Sequence, residues 1–391
     1  MLDFLNVEDC TGCGACMNKC PKQCITMEAD KEGFEYPVVS KENCINCGLC
    51  KKVCPSIETD SVRNFNKASH GFAAISRDDI VWKKSASGGA FTEICYAFLD
   101  GCSDYAIVGC ELNGDTVFHS TVFSLNEIDK FRKSKYVQSS IGLIYIDVKK
   151  YLQDNKKVVF VGTPCQVAGL KSFLGKNYEQ LLTVDLICHG VGSPGVFKAH
   201  IDFLREKFND YNLLYSFRNK TLNNRGRLNL YTSKFQLSSG KTKYVERDEY
   251  NRLFLSQVCL RPCCSTNCKY RTEYRTGDIT IADFKALKQV FPQITDYRNY
   301  STVIFNTKKG EELHNDLEKR MIMYSTSIDN IKKHNPLYCH TTLGNPKRSY
   351  FFEDYTKGVS YTVLIQKYAP APLKTFKQIL SSILFPQKPL V

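Results

Sequence analysis

The chain opens with C-x2-C-x2-C-x3-C-P, as Cys10, Cys13, Cys16 and Cys20-Pro21, and repeats the pattern as Cys44, Cys47, Cys50 and Cys54-Pro55. No other feature restricts the fold so strongly. Three thiolates in so short a loop wrap one iron–sulfur cube, and the fourth ligand comes from the other motif. The spacing therefore predicts two [4Fe-4S] clusters, one on Cys10, Cys13, Cys16 and Cys54, the other on Cys44, Cys47, Cys50 and Cys20. Gly12, Gly14 and Gly48 let the loops turn closely around sulfide and leave backbone amides to bond to it. Zinc on the same thiolates is the weaker reading, because zinc sites use pairs of ligands and not runs of four. Cys24 stands where a small apolar residue would pack and is read as core.

The remaining cysteines, within a total of 19, are again grouped locally. Residues 1–9 carry acids and no apolar run of signal-peptide length, so the thiols are read as metal ligands in a reducing cytoplasm and not as disulfides. No stretch approaches the roughly 20 apolar residues of a membrane span. The formal charge is +13, and three clusters of about −2 each would bring it to about +7. The basic residues are spread along the chain, so nucleic acid is not an expected partner. Acidic redox proteins or phosphate-bearing cofactors account for the balance more simply. Residues 1–58 resemble the bacterial two-cluster ferredoxins. Two clusters so close form a wire, and a wire alone transforms no substrate.

After a polar linker over 58–69, residues 70–310 alternate short apolar runs with helical periodicity, as α/β chains do. Lys157–Val161 and Leu181–Cys188 read as buried strands. The first is ended by Gly162-Thr163-Pro164 and followed by a helix from Gln166; the second leads to a helix with Ser193 as N-cap and Pro194 at its first position. A helix is expected from about Ser87 to Asp100, stopped by Gly101, and shorter strands over 105–108 and 278–282. Residues 311–391 read as helical at first, then aromatic, basic and loop-like. Neither GxGxxG nor GxxxxGK[ST] occurs, so no standard dinucleotide fingerprint or Walker loop is available.

Cys165 and Cys188 fall at the ends of consecutive strands, where α/β folds build their sites. Cys259, Cys263, Cys264 and Cys268 then crowd into ten residues. Two strand-end thiolates plus two from this loop would make a third [4Fe-4S] site; zinc or unrelated cysteines are the alternatives at this point. Ser85-Ala86-Ser87-Gly88-Gly89 opens a helix in this reading. Its hydroxyls and amides suit a phosphate, although such a sequence is commonly only a cap.

The order of Lys84–Gly89, Ser134–Ser139, Gly162-Thr163-Pro164-Cys165-Gln166, Cys188-His189-Gly190-Val191, Arg261-Pro262 with its cysteines, and Gly277–Thr280 looks like the coenzyme F420 hydrogenase/dehydrogenase beta-subunit family, in the subgroup with an N-terminal ferredoxin domain. The resemblance covers roughly residues 1–345. It implies an α+β ferredoxin domain followed by an α/β domain of βα units, an FAD, and a third [4Fe-4S] cluster. Carried over by position, it implies flavin contacts from Ser85, Ser87, Gly88, Gly89, Lys135, Tyr136, Gln138, Ser139 and Thr163. Cys165, Cys188, Cys264 and Cys268 match the third-cluster ligands. Family members usually show R-P-S-C and then C-x2-C, so here Cys263 or Cys264 serves. Gly192 also replaces the first proline of the usual H-G-V-P-S-P loop.

The implied division is a dicluster domain over 1–58, a flavin-binding part over 70–150, a part with the third site over 151–345, and a tail over 346–391. The implied function is an FAD-dependent oxidoreductase. It would pass electrons between an organic hydride-level substrate or F420-type coenzyme and the clusters, with ferredoxin or another redox protein as partner. The rival readings are a flavin-free electron-transfer subunit and a ferredoxin-fed reductase of a biosynthetic intermediate. His189 and Asp283 are read as structural. The segment 373–385 places Phe376, Ile379, Leu380, Ile383 and Leu384 on one helical face beside Lys374 and Lys377. Such a face suits a membrane or a partner, but docking on the protein's own core is the expectation.

Overall fold

The computed structural model describes residues 2, 4–57, 68, 70–222, 226–266, 268–340, 344–371 and 388–390. The linker expected over 58–69, Ala68 apart, and the tail helix expected over 373–385 lie outside the described residues.

In the N-terminal region each cysteine motif runs into a short helix, Ala15–Lys19 or Leu49–Lys52. Gly14 and Gly48 precede them at φ 74° and 72°, a left-handed turn that glycine adopts without steric cost. Between the motifs lies an antiparallel hairpin, β1 (Ile25–Ala29) and β2 (Glu35–Val39), with Ile25 opposite Val39.

The body of the molecule is an eight-stranded mixed sheet. Its strands are β3 (His70–Ser76), β4 (Tyr105–Asn113), β5 (Thr116–Val122), β6 (Lys157–Val161) and β7 (Leu181–Leu186). A separate antiparallel sheet follows, made of β8 (Leu214–Leu222), β9 (Leu228–Gln236) and β10 (Thr242–Glu246) with the short β14 (Lys388–Pro389). The chain then returns to the large sheet with β11 (Ile279–Asp283), β12 (Ser301–Phe305) and β13 (Met321–Ser327). The large sheet runs in the order β13-β3-β12-β11-β7-β6-β4-β5. Its centre, β4-β6-β7-β11, is parallel, and the pairs outside it are antiparallel.

The near-continuous apolar runs of β6 and β7 fit strands covered on both faces. Helix Ala90–Phe98 packs on one side through Ile94, Cys95 and Phe98. Helices Ile144–Gln153 and Pro164–Leu174 pack on the other through Tyr145, Val148, Val167 and Leu170. Thr163 caps the latter helix with a capping box to Gln166, and Ser193 accepts from the Val196 amide at the start of Pro194–Phe208, as its sequence predicts.

Several boundaries differ from expectation. The helix expected from Ser87 begins at Ala90, with Gly89 and not a serine as N-cap. Segments 70–150 and 151–345 share one sheet and one core. Residues 348–356 and 361–368 are helices and not a loop-like tail, and Phe351, Phe352, Leu364 and Ile365 are buried in the main core. The β8–β10 sheet has no counterpart in the sequence reading, because its strands mix Asn, Lys, Thr and Arg with aromatics and blur the alternation. Among the described residues, no helix is long and apolar enough to cross a membrane.

The cysteine-rich region docks on the α/β body along the side of its first motif. The Asn18 side-chain amide donates to the Gly142 carbonyl at 2.8 Å, and the Ser172 hydroxyl to the Val53 carbonyl at 2.8 Å. Gly169 makes the fit close there: a Cβ on it would stand 3.0 Å from the Tyr145 hydroxyl and 3.1 Å from the Cys13 sulfur.

Candidate iron–sulfur centres and cofactor cleft

Cys10, Cys13, Cys16 and Cys54 come together in the interface, with Cys10, Cys13 and Cys54 buried. Burial pushes the Cys13 thiol up to about 12, and the charges of Cys54 and Cys10 push the same way. Mutually repelling buried thiolates are the arrangement that a cationic iron–sulfur core relieves. The second set is nearer solvent: Cys44 and Cys50 are half-buried and Cys47 is exposed. Cys50 feels the charges of Cys44 and Cys47. The Cys20 sulfur lies 3.4 Å from that of Cys24, which packs with Leu2 and Ile25 in the small core beneath this set.

Cys165, Cys188, Cys264 and Cys268 line one small cavity, which Cys263 also borders. Their burial raises Cys165 well above the usual thiol range and Cys188 to about 12, and the charges of the other members add to the rise. The Gly190 amide donates to the Cys188 sulfur at 3.3 Å. Thr163 Oγ1 lies 3.1 Å from the Cys165 sulfur. The charge of Cys264 acts on Cys165, Cys188 and Cys268, that of Cys263 on Cys165, and Arg261 acts on both; the bond from Cys263 is the largest of the influences holding the Cys264 thiol down at about 7. Cys259 is in the apolar core and outside the cavity. Among the described residues, no group of three or more His, Cys, Asp and Glu side chains is disposed to hold a single metal ion.

Two buried polar atoms at this cavity have no partner, Thr11 Oγ1 and the Tyr270 hydroxyl. Tyr270 is electrostatically coupled to Cys13 and Cys54 of the first set and to Cys165 and Cys268 of this one, so it lies between them.

Through a wall that includes Thr163, Gln166, Cys188, Gly190 and Val191, the cysteine cavity adjoins a much larger cleft that opens to solvent. Ser85, Ser87, Gly89, Lys135, Tyr136, Ser139 and Thr163 line this cleft. Gln138 does not: it borders the cysteine cavity, donating from Nε2 to the Thr11 carbonyl at 3.1 Å. Gly88 is packed away from the cleft, where a Cβ would stand 2.2 Å from the Ala74 carbonyl. The serine hydroxyls are already engaged, Ser85 to the Val81 carbonyl and Ser87 to that of Tyr300, both at 2.7 Å. What this loop offers the cleft is therefore backbone.

Tyr136 stacks on Phe254 with ring centroids 4.5 Å apart. Lys135 donates to the Lys130 and Arg132 carbonyls, and burial brings its ammonium down to about 8. Ser139 Oγ lies 3.0 Å from His119 Nδ1, and His119 Nε2 lies 3.1 Å from the Val161 carbonyl. Burial holds that imidazole down at about 4, so it is neutral at pH 7, with Nε2–H donating and Nδ1 accepting from Ser139.

Sequence reasoning missed the cleft's floor. Arg218 grips Asp283 with two bonds of 2.9 and 3.1 Å, and also donates to the Tyr136 hydroxyl and the Ala86 carbonyl. Burial raises the Asp283 carboxyl, but Arg218 outweighs it and holds the group below its ordinary range. Buried Lys220 donates to the Ser85 and Ser87 carbonyls at 2.7 Å and sits over Trp82. Both side chains come from β8, a strand the sequence did not reveal. His189 lines the cleft with Nε2 buried and unpartnered.

Two cysteine sets docked on a mixed α/β sheet fit an iron–sulfur protein. Residues 9–57 match the 4Fe-4S dicluster domain, and residues 155–331 match the family defined by the C terminus of the coenzyme F420 hydrogenase/dehydrogenase beta subunit. The chain is thus an iron–sulfur electron-transfer protein that carries the C-terminal domain of that family behind a dicluster domain. A chain of the F420-reducing [NiFe] hydrogenase complex from Methanosarcina barkeri, in its xenon-derivatised structure, is similar over 75% of this chain and 94% of that one, with 17% identity and a TM-score of 0.47. No curated protein matches the chain.

Proposed function

We propose that the chain is an FAD-dependent iron–sulfur oxidoreductase in which the cleft takes the flavin and an organic substrate, and the cysteine cavity takes a third [4Fe-4S] cluster. The observation that carries this reading is the adjacency of the three sites. The cavity shares a wall with the cleft on one side, and Tyr270 separates it from the first cysteine set on the other. The cavity suits a cluster because four thiols converge there with the unpartnered Thr11 and Tyr270 hydroxyls, which would donate to cluster sulfur. Cys165, Cys188, Cys264 and Cys268 would be its ligands, since the charge of Cys264 acts on all three of the others, whereas that of Cys263 is felt with Cys165 alone.

The cleft suits a flavin by size, by its cationic wall of Arg132, Lys133 and Lys135, and by the Ala86–Gly89 backbone before helix Ala90–Phe98. A bound flavin exchanges hydride-level pairs with an organic compound and single electrons with clusters. Tyr136, fixed by Arg218 and Phe254, walls the cleft; His119 and Ser139 are locked together and to Val161 and Gln166, and so fix its shape. His189, with Nε2 unpartnered at the cleft and its imidazole held down at about 4 by burial, would meet the substrate as a neutral hydrogen-bonding group. The organic partner is a hydride donor or acceptor of the F420 type, a reading that rests on the family relationship. The exposed second set, bordered by exposed Lys22, Lys41, Lys51 and Lys52, would meet an acidic redox protein such as ferredoxin.

Anaerobic purification with iron, sulfide and flavin analysis tests the reading. About twelve iron and one FAD per chain are expected. About eight iron without flavin after reconstitution would make the chain a flavin-free wire.

A further inference from the structure

Arg261 is 0% exposed, and its guanidinium has no carboxylate partner among the described residues. It reaches from the third cysteine loop into the N-terminal region. There Nε donates to the Cys10 carbonyl at 2.8 Å and Nη2 to the Glu35 carbonyl at 3.0 Å; Nη1 donates to Gln138 Oε1 at 2.7 Å. Nη2 also lies 3.7 Å from the Cys10 sulfur. The Tyr36 ring is stacked 4.2 Å from the guanidinium carbon. An arginine stays charged in any protein environment, and a buried cation without an anion is costly. Among the described residues, the charges that act on it are those of Cys10 foremost, then Tyr36, Cys263 and Cys264.

We infer that Arg261 raises the reduction potential of the cluster on Cys10, Cys13, Cys16 and Cys54 above that of the cluster on Cys20, Cys44, Cys47 and Cys50, and so makes the first the preferred acceptor beside the cysteine cavity. Reduction by one electron takes a four-thiolate cube from about −2 to about −3. A fixed cation at contact distance in a dry interface favours the more negative state, and an N–H donated to a ligand sulfur acts in the same direction. The second cluster has no such neighbour among the described residues. Cys47 is exposed, Gly48 has nothing within 4 Å of its Cβ position, and the flanking lysines stand in water, where their charge is screened. Only the two clusters of the dicluster domain are needed for this effect, whether or not the cavity holds a third.

The test is an anaerobic potentiometric titration of the full chain, followed by electron paramagnetic resonance. In Arg261→Gln the midpoint of the first cluster should fall while that of the second stays, and Arg261→Lys should recover much of the shift. Should Arg261→Gln not hold its iron, Gln138→Glu places a carboxylate on the guanidinium with little change of shape, and the same downward shift is expected. Unchanged midpoints in whichever of these variants retains full iron would overturn the inference and leave Arg261 a docking residue only.

Discussion

The two cysteine motifs are alike in spacing and unlike in surroundings. The first is built into an interface: a Cβ on Gly12 would stand 2.5 Å from Gln138 Nε2 and 2.8 Å from Arg261 Nη1, and one on Gly14 3.3 Å from Ile141. The second is at the surface, with open space beside Gly48 and Ile45 more than half exposed. One local pattern thus yields an inner centre, held by the body of the protein, and an outer one near solvent. Motif spacing fixes how many clusters form, whereas packing fixes what each cluster does.

Removing one ligand from each set sharpens the contrast most. Cys54→Ser and Cys47→Ser should each lose about four iron. Only Cys54→Ser should also loosen the docked interface, seen as the larger drop in Tm; equal drops would mean that the inner cluster does not hold the two regions together.

Alanine at the loop glycines comes next. Gly48→Ala should cost about 1–2 kcal/mol for its left-handed φ of 72°. Gly12→Ala must also displace Gln138 and Arg261, for a total of about 3–4 kcal/mol in denaturant unfolding. Near-equal costs would show that the interface yields easily around Gly12.

Iron removal should separate the sets in time. A chelator applied with a mild oxidant should bleach the outer cluster first, followed by its resonance signal, because the inner thiolates are shielded. The smallest effect is electrostatic. The double change Lys51→Glu with Lys52→Glu should slow electron exchange with an acidic carrier several-fold at low salt and far less at about 0.5 M, where the Debye length is only a few ångströms. Insensitivity at low salt would place the partner elsewhere.

Much of the centre was legible in advance for a physical reason: ligand sets held by short loops are local. Cys10, Cys13 and Cys16 share a loop, and their crossing with Cys54 follows from the geometry of the repeat, as the couplings of Cys16 with Cys54 reflect. The strand-end positions of Cys165 and Cys188 followed from β6 and β7, whose apolar runs are unmistakable. Illegible were the contributions of distant segments. Arg218 and Lys220 lie on a polar strand with a bulged register, and Arg261 finds its partners 123 to 251 residues away in sequence. Ser85 and Ser87 look like caps, but their hydroxyls turn to carbonyls of Val81 and Tyr300.

By itself, then, the sequence determined the metal chemistry, since thiolate spacing acts over a few residues and needs no fold to be read. The tertiary structure alone decided which cluster is buried beside a cation, which thiols share the cavity with Cys188, and what forms the cleft. Those properties depend on through-space distance and dielectric, and both arise only when remote segments pack together.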